Sequence, residues 1–181
     1  DLVVAPDRWE VVYGQALLPG RTDAGLSGVV EFTDAGPAFD GGVRLAAEQA
    51  GVLAAWLFGS DARVPGLGVV EGILDASASV RLDRSGLALG SIDIERADGA
   101  LNGSLSYLAA AEDGRASLTA EIVTDRLDFD SLPLLSGRSE STALNRLAAL
   151  LGSIDLDIDL TAGHLRVGAV EMQGVLAALT L

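Results

Sequence analysis

The chain of 181 residues has no cysteine and one histidine, His164, and all twelve of its basic residues are arginines. A chain without cysteine has no disulfide, no thiolate zinc site and no thiol nucleophile, and one histidine cannot complete the usual zinc ligand sets. The cellular compartment stays open, because oxidising and reducing locations both accept such a chain. His164 stands in a predicted turn between Gly163 and Leu165, and we interpret it as a surface residue and not as a catalytic base.

Positive charge and long apolar runs are also scarce. The 26 acidic residues outnumber the 12 basic ones and give a net charge of −14. Nucleic acid as a partner is therefore excluded, since no basic cluster can neutralise phosphates, and attraction to an anionic membrane by charge alone is disfavoured. No window approaches the ~20 apolar residues that span a bilayer, and no signal peptide is visible. We expect any membrane anchor or export signal to lie outside this segment, which we interpret as a fragment of a larger protein.

Sequence motifs of enzymes are missing. The chain has no G-x-S-x-G, Walker A or G-x-G-x-x-G pattern. Asp128 and Asp130 flank Phe129, but nothing specifies a partner acid or base at catalytic separation. The sequon at 102–104 lies within a predicted strand and is weak evidence for glycosylation. The sequence therefore predicts no enzyme and no cofactor.

One acidic pattern resembles a metal site in part. The spacing of Asp155, Asp157 and Asp159 matches the start of an EF-hand loop. Leu160 stands where that loop needs a glycine, and Arg166 stands where it needs a bidentate glutamate. We therefore predict an exposed acidic strand face and no metal site.

The residues that are abundant are aliphatic and alternate with polar ones. Hydrophobic residues make up 49% of the chain, aromatic residues only 4%, and the mean hydropathy is +0.38. In the run 154–160, Ile154, Leu156, Ile158 and Leu160 occupy one parity, and Asp155, Asp157 and Asp159 occupy the other. Because successive strand side chains point to opposite faces, this run predicts a strand with one apolar and one acidic face.

The last segment of the chain recurs earlier at an offset of 78 residues. It is predicted as a strand, a turn at 161–163, a short strand, a kink at Gly168 and a long strand. When Gly90 is aligned with Gly168, the apolar residues of the two segments fall on the same alternating positions, and so do the charged residues. This alignment predicts an internal repeat over about 69–108 and 147–181. A chance match is the alternative, since leucine and valine are abundant here. Repeated units that cannot bury a face alone favour an elongated, stacked sheet.

The secondary structure of the remaining segments is assigned from the spacing of their apolar residues and from the turn residues between them. Strands are predicted at 8–17, 26–33, 39–46, 69–83, 87–97, 101–110 and 117–124. A short helix at about 47–58 presents the stripe Val52, Leu53, Trp56 and Leu57, and a second helix at about 143–151 presents Leu144, Leu147, Ala148 and Leu151.

These elements predict a single, mainly β unit over residues 1–181, a long, twisted and mostly antiparallel sheet with two short helices. Tall strands with one aliphatic face need that face covered, and two short helices cannot cover it. The sheet is therefore expected either to close as a dry sandwich or to curl into a groove or half-barrel that accepts apolar ligands. The predicted lining residues of the groove are Val80, Leu82, Ile154, Leu156, Ile158 and Leu160.

Three runs of the chain resemble the AsmA family of bacterial cell-envelope proteins. They are RASLTAEIVTDRLDFDSL at 115–132, LDIDLTAGHLRVGAVEMQGVLAALTL at 156–181, and the strand-plus-helix run PAFDGGVRLAAEQAGVLAAWL at 37–57, which is similar to proteobacterial members. TamB-like and other β-groove proteins share the same aliphatic alternation.

The resemblance implies a periplasmic β-groove attached to the inner membrane by an N-terminal anchor outside this segment. It implies a role in outer-membrane assembly, with phospholipid carried between the two membranes and neighbouring β-groove repeats as contacts, and it transfers no catalytic residues. The predicted function is a non-enzymatic segment whose groove binds or conducts phospholipid acyl chains. The alternative is a structural or scaffolding β module that makes protein–protein contacts or regulates protein targeting to the membrane.

Overall fold

A computed structural model describes residues 1–59, 63–64, 68–69, 71–97, 99–110, 114–128, 154–167 and 169–181. The strands are β1 Leu2–Val4, β2 Arg8–Leu18, β3 Thr22–Thr33, β4 Gly36–Ala47, β5 Arg63–Val64, β6 Gly68–Val69, β7 Leu74–Asp83, β8 Gly86–Arg96, β9 Gly99–Leu108, β10 Ala116–Asp128, β11 Ile154–Val167 and β12 Val170–Thr180. The described residues contain one helix, α1 Ala50–Phe58, and the second predicted helix at 143–151 lies outside them.

Among the described residues, ten strands form one open sheet in the order β1-β2-β3-β4-β7-β8-β9-β10-β11-β12, and β5 and β6 form a separate pair. Short turns join most neighbours, so each of these pairs is antiparallel. The exception is β10 with β11, which run parallel and are joined by a connection outside the described residues. The prediction of a mainly β, mostly antiparallel sheet is confirmed.

The register aligns like residues across the whole sheet. Residues paired across neighbouring strands share a face, so pairing can be followed from one edge to the other. Row one is Val4, Trp9, Val30, Phe39, Leu82, Leu87, Tyr107, Leu118, Leu156 and Leu181. Row two is Leu2, Val11, Gly28, Gly41, Val80, Leu89, Leu105, Ala120, Ile158 and Leu179. Rows one and two contain no charged residue, and we call the side of the sheet that carries them the apolar face.

The residues between these two rows point to the other side, which we call the polar face. The row that separates them is Val3, Glu10, Val29, Asp40, Arg81, Ala88, Ser106, Thr119, Asp157 and Thr180. Strands β2 and β8 each contain a bulge that inserts one extra residue. After each bulge, the following aliphatic residues still lie on the apolar face.

Helix α1 packs over one end of the apolar face. Ala47, Ala50 and Leu53 are buried there, and Leu18, Leu45 and Leu74 pack against them. Of the predicted stripe only Leu53 is buried, whereas Val52, Trp56 and Leu57 are about half exposed. The helix is apolar on all sides, so its pattern could not indicate the inner side. Contact with the turn between β2 and β3 determines which side of α1 faces the sheet. The turn packs closely against the start of the helix, since a Cβ atom at Gly20 would lie 2.5 Å from the Gln49 carbonyl oxygen.

The predicted strand at 69–83 is wrong in its first part. Val69 belongs to the separate pair β5–β6, and the strand of the main sheet begins at Leu74. Gly72 interrupts the alternation with a φ of 77°, and its carbonyl accepts a hydrogen bond from the Ala50 amide at 2.8 Å. The backbone here is therefore turned towards the start of α1, which the alternating pattern alone could not indicate.

The predicted turn at 161–163 is also wrong. Strand β11 continues through these residues because β10 pairs with it on one side and β12 on the other. Under the 78-residue offset, the turn that joins β7 to β8 is aligned with residues inside β11. The described turns are therefore not equivalent, and the internal repeat stays a prediction from sequence.

The turn between β7 and β8 is organised by one carboxylate. Asp83 Oδ1 accepts hydrogen bonds from the Ser85 hydroxyl at 2.5 Å, the Ser85 amide at 2.7 Å and the Gly86 amide at 3.2 Å. The Ser85 hydroxyl first, and then the two amides, lower the pKa of Asp83, because each donor favours the ionised carboxylate. The turn is thus stabilised in the charged state of Asp83.

We expect Asp83→Asn to remove part of the acid sensitivity of folding. The pKa of Asp83 is lower in the folded than in the unfolded chain, so its stabilisation is complete above the unfolded pKa and is lost as the pH falls through the folded pKa. Melting temperatures of both chains, measured between about pH 7 and pH 2, should differ at neutral pH and converge in acid. Ser85→Ala is the control, and NMR should show a higher Asp83 pKa in it. A difference that does not change with pH would contradict this assignment.

Candidate functional site

All six predicted lining residues lie on the apolar face, on two strands that are not neighbours. Val80 and Leu82 are on β7, and the other four are on β11. Rows one and two connect them, since Leu82 leads through β8, β9 and β10 to Leu156, and Val80 leads in the same way to Ile158. Four strand spacings of ~4.8 Å place the two sets about 19 Å apart along the sheet.

The residues that join these two sets were not among those predicted from the sequence. They are Leu87 and Leu89 on β8, Leu105 and Tyr107 on β9, and Leu118 and Ala120 on β10. Each alternates with polar neighbours in the sequence, so a signal was present. Only the strand order shows that these strands lie between β7 and β11.

Burial on the apolar face is uneven. Leu156 and Ala120 are only 6% and 5% exposed. Val80, Ile158 and Leu160 are half-buried, and Leu82 is 49% exposed. Single exposed apolar side chains are common on protein surfaces. Here the partly exposed apolar side chains are contiguous across ten strands, which is typical of a binding surface.

Little of the described chain covers this face. Helix α1 packs at one end, on the side of Leu18, Leu45 and Leu74. In the rest of the described chain, the substantial contacts between elements of the main sheet are those of adjacent strands. Large apolar side chains at Leu26, Phe32, Val43 and Leu179 therefore remain between 37% and 44% exposed. The described elements leave most of the apolar face accessible.

The polar face is held by ion pairs between neighbouring strands. Arg81 donates to Asp40 at 2.6 Å and Arg44 donates to Asp75 at 2.9 Å. These hydrogen bonds, with the adjacent negative charges, raise the pKa of both guanidinium groups above the ordinary value. Exposed pairs of this kind contribute little to stability, but they concentrate charge on this side of the sheet.

Two depressions lie mainly on the polar face. One of about 490 Å³ is bordered by Tyr13, Asp23 and Arg44, and it exists because Gly25 and Gly42 have no side chains to fill it. The other, of about 380 Å³, surrounds the pair formed by Arg81 and Asp40. In the first depression Arg44 pairs with Asp75 and Asp23 accepts a hydrogen bond from Gln15, whereas in the second Arg81 and Asp40 bind each other.

Two of the acidic side chains on β11 form polar contacts with other side chains. Asp155 pairs with Arg115 at 3.2 Å, and Asp157 accepts a hydrogen bond from Thr180 at 3.3 Å. Among the residues that the structure describes, no group of three or more histidine, aspartate or glutamate side chains could hold a metal ion. Asp128 is the last residue of β10, and Asp130 lies outside the described residues.

His164 is not in a turn as predicted. It lies inside β11, where it pairs with Arg126 on β10 and Gln173 on β12. Its side chain is exposed, as the sequence suggested. Asn102, the acceptor residue of the sequon, is exposed on β9, which agrees with its predicted place in a strand.

Comparisons with models of known protein families, with curated proteins and with solved structures find no match to this chain. The resemblance to AsmA-like proteins therefore stays a prediction. Within the described residues, no helix is both long enough and apolar enough to cross a bilayer.

Proposed function

We propose that this chain is a non-enzymatic segment of a bacterial cell-envelope protein whose apolar face binds phospholipid acyl chains. The observation that supports the proposal most is the pair of uncharged rows that cross all ten strands. A folded protein of this size usually buries such a surface against a second layer, yet α1 is the one described element that packs on it. An acyl chain is a partner that suits an uncharged, aliphatic strip of this kind.

Binding would be driven by partition of methylene groups from water onto the aliphatic side chains. Each CH₂ that leaves water contributes ~0.8 kcal/mol, so a partly covered chain of several methylenes already provides useful affinity. A single lipid tail reaches about 15 Å, half of the hydrocarbon core of a bilayer, whereas a twelve-residue strand extends for about 40 Å. The strands are thus long enough for a tail to lie along them with its head group at an open edge.

In this proposal the sheet curves so that the apolar face lines a groove and the polar face meets water. The ion pairs and aspartates of the polar face support that orientation, since they need hydration. The groove would conduct phospholipid between the inner and outer membranes, in the periplasm, as part of a longer protein anchored in the inner membrane. Neighbouring β-groove repeats would extend the same strip.

The proposal is tested by native mass spectrometry with lipid extraction, after purification of the chain from a bacterial host. We expect phospholipid to copurify with the wild-type chain. The double change Ile158→Asp and Leu160→Asp should reduce the bound lipid by roughly tenfold or more, because it places two charges on the apolar face, where they oppose the burial of acyl chains. Ser104→Asp with Ser106→Asp is the matched control, since it places the same two charges two residues apart on the polar face of β9.

Two results would overturn the proposal. One is a folded, lipid-free wild-type chain that also rejects added phospholipid vesicles and apolar dyes. The other is equal lipid retention in the apolar-face and polar-face variants, which would indicate nonspecific adsorption. If the apolar-face variant does not fold, the single change Leu105→Asp against Ser106→Asp repeats the comparison with one charge at adjacent residues of β9.

A structural β module is the second candidate function, and it is favoured by the position of β12, an eleven-residue strand that is outermost among the described strands of the main sheet. That module would act by strand pairing, with no ligand on the apolar face. A lipid-free chain that nevertheless binds other strands would be the expected result for this function.

A further inference from the structure

The last turn of helix α1 extends beyond the core that holds the middle of the helix. Leu53 and Ala54 are 2% and 3% exposed. Leu57 stands four residues after Leu53 and three after Ala54, so it lies on the same side of the helix as both. Leu57 is nevertheless 52% exposed, although β5 lies beside the helix. The packed part of α1 therefore ends before Leu57.

The exposed surface of α1 is apolar and uncharged. Val52, Trp56 and Leu57 are each about half exposed, and we call these three residues the exposed side of α1. Residues 49–59 include no charged residue, in a chain that carries a net charge of −14. The first turn of α1 has no acidic residue and the last turn has no basic one. The contacts that α1 makes on this side therefore depend on apolar surface and not on charge.

The exposed side of α1 has almost no capacity for side-chain hydrogen bonds. In the helix sequence AGVLAAWLF, the indole N–H of Trp56 is the one polar side-chain group. Protein–protein interfaces usually contain about one hydrogen bond per 100–200 Å² and a polar rim. A lipid surface requires no such bonds from a helix, and tryptophan is enriched at the level of the head groups, where its ring is apolar and its N–H meets water. This chemistry favours a lipid surface over a protein as the partner.

The position of α1 connects its exposed side to the apolar face of the sheet. On its inner side, Ala50 and Leu53 pack with Leu18, Leu45 and Leu74 at one end of that face. A bilayer that covered the exposed side of α1 would therefore lie next to this end of the apolar face. An acyl chain would then have only a short distance to move from the bilayer onto the sheet.

We propose that the exposed side of α1 inserts into the surface of a zwitterionic phospholipid bilayer, from which the apolar face takes up lipid. The inference rests on the proposed function, since it names the source of the bound lipid. The nine residues of α1 extend for about 14 Å, about half the hydrocarbon core of a bilayer, so the helix lies in the interface and does not span it. Because α1 carries no lysine or arginine, its binding should depend on buried apolar area and change little with salt.

The first test is flotation of the chain with phosphatidylcholine vesicles. Trp56→Glu with Leu57→Glu should weaken vesicle binding by roughly tenfold or more, because both charges would have to enter the interface. Val12→Glu with Tyr13→Glu is the matched control, since it changes an adjacent aliphatic and aromatic residue on β2 that are 52% and 53% exposed. The control should bind vesicles as the wild-type chain does. A folded wild-type chain that does not float, or equal flotation of the two variants, would overturn the proposal.

A second test separates this inference from the proposed function. Ile158→Asp with Leu160→Asp leaves α1 unchanged, so this variant should float like the wild-type chain although its apolar face binds less lipid. The Trp56 and Leu57 variant should bind short-chain phosphatidylcholine supplied as monomers like the wild-type chain, but take up lipid from vesicles at least about tenfold more slowly. If the wild-type chain binds no monomeric lipid, the proposed function fails. If it binds monomeric lipid and both chains take up vesicle lipid at the same rate, the inference about α1 fails.

Tryptophan fluorescence tests the insertion even if the glutamate variants do not fold. The chain has two tryptophans, so Trp9→Phe leaves Trp56 as the one that reports. We expect its emission to move to shorter wavelength when phosphatidylcholine vesicles are added, because the ring leaves water. Unchanged emission at saturating vesicle concentration would contradict insertion of α1.

Discussion

Replacing Gly41 by alanine is expected to destabilise the protein by about 3 kcal/mol, a large effect for the addition of one methyl group. Gly41 pairs with Gly28 in row two, and the Phe39 ring lies over both. A Cβ at Gly41 would overlap the Ser27 carbonyl oxygen and lie 2.6 Å from Phe39 Cζ. The aromatic ring covers backbone that has no side chain of its own, so neither partner can move away without opening the sheet.

Gly42→Ala is the matched control for this prediction. Gly42 is adjacent in β4 but points to the polar face, where an added Cβ would be 3.8 Å from Ser27 Oγ, an ordinary contact. Its stability should be equal to or slightly above that of the wild-type chain, because alanine restricts the unfolded chain more than glycine does. Thermal unfolding followed by circular dichroism should show a loss of roughly 10 °C for Gly41→Ala and almost none for Gly42→Ala. Equal melting temperatures would show that β3 and β4 do not approach as described.

Leu53→Ala is expected to detach α1 from the sheet, with a loss of about 2 to 5 kcal/mol in helix docking. Leu53 is 2% exposed and is the largest apolar side chain that is fully buried in the described chain. The cluster around it is small, so few neighbouring side chains can move in to fill the cavity. Because α1 contacts only one end of the sheet, we expect a local loss of structure and not complete unfolding.

Hydrogen exchange is the measurement that separates these outcomes. The Ala50 amide donates to the Gly72 carbonyl at 2.8 Å and the Gly59 amide donates to Ala55 at 3.0 Å, and both should lose protection in Leu53→Ala. Amides of β8 to β11 should keep theirs. Val52→Ala is the control, since Val52 is 48% exposed and alanine favours the helix. Similar exchange in the two variants would mean that Leu53 does not anchor α1.

The two faces of the sheet could be predicted from the sequence alone. Alternation is a property of each strand by itself, so Ile158 and Leu160 were assigned to one face and Asp157 and Asp159 to the other without knowledge of their neighbours. The pairing of β11 with β10 and β12 confirms this assignment. Proline and glycine at 19–20 likewise marked a turn, because the local backbone alone requires it. The turn predicted at 34–37 is shorter in the structure, since β4 already begins at Gly36.

Which side of α1 faces the sheet was not predictable in the same way. Val52, Leu53 and Trp56 are all apolar, so a stripe chosen by hydrophobicity contained both the buried and the exposed side. The Gly20 turn and the Gly72 carbonyl, which belong to distant parts of the chain, select the orientation. Contacts between segments far apart in sequence leave no periodic signal within either segment.

The sequence by itself determined that this protein is built of strands with one aliphatic and one polar side, since that pattern follows from the two-residue period of extended backbone. Only the tertiary structure decided that ten such strands align their aliphatic sides in unbroken rows, that β10 and β11 run parallel, and that β1 and β12 are the outermost of the described strands. Strand order and register depend on which backbone hydrogen-bonding groups meet across the sheet. That choice is made by the whole chain during folding, and the apolar face exists as one surface because of it.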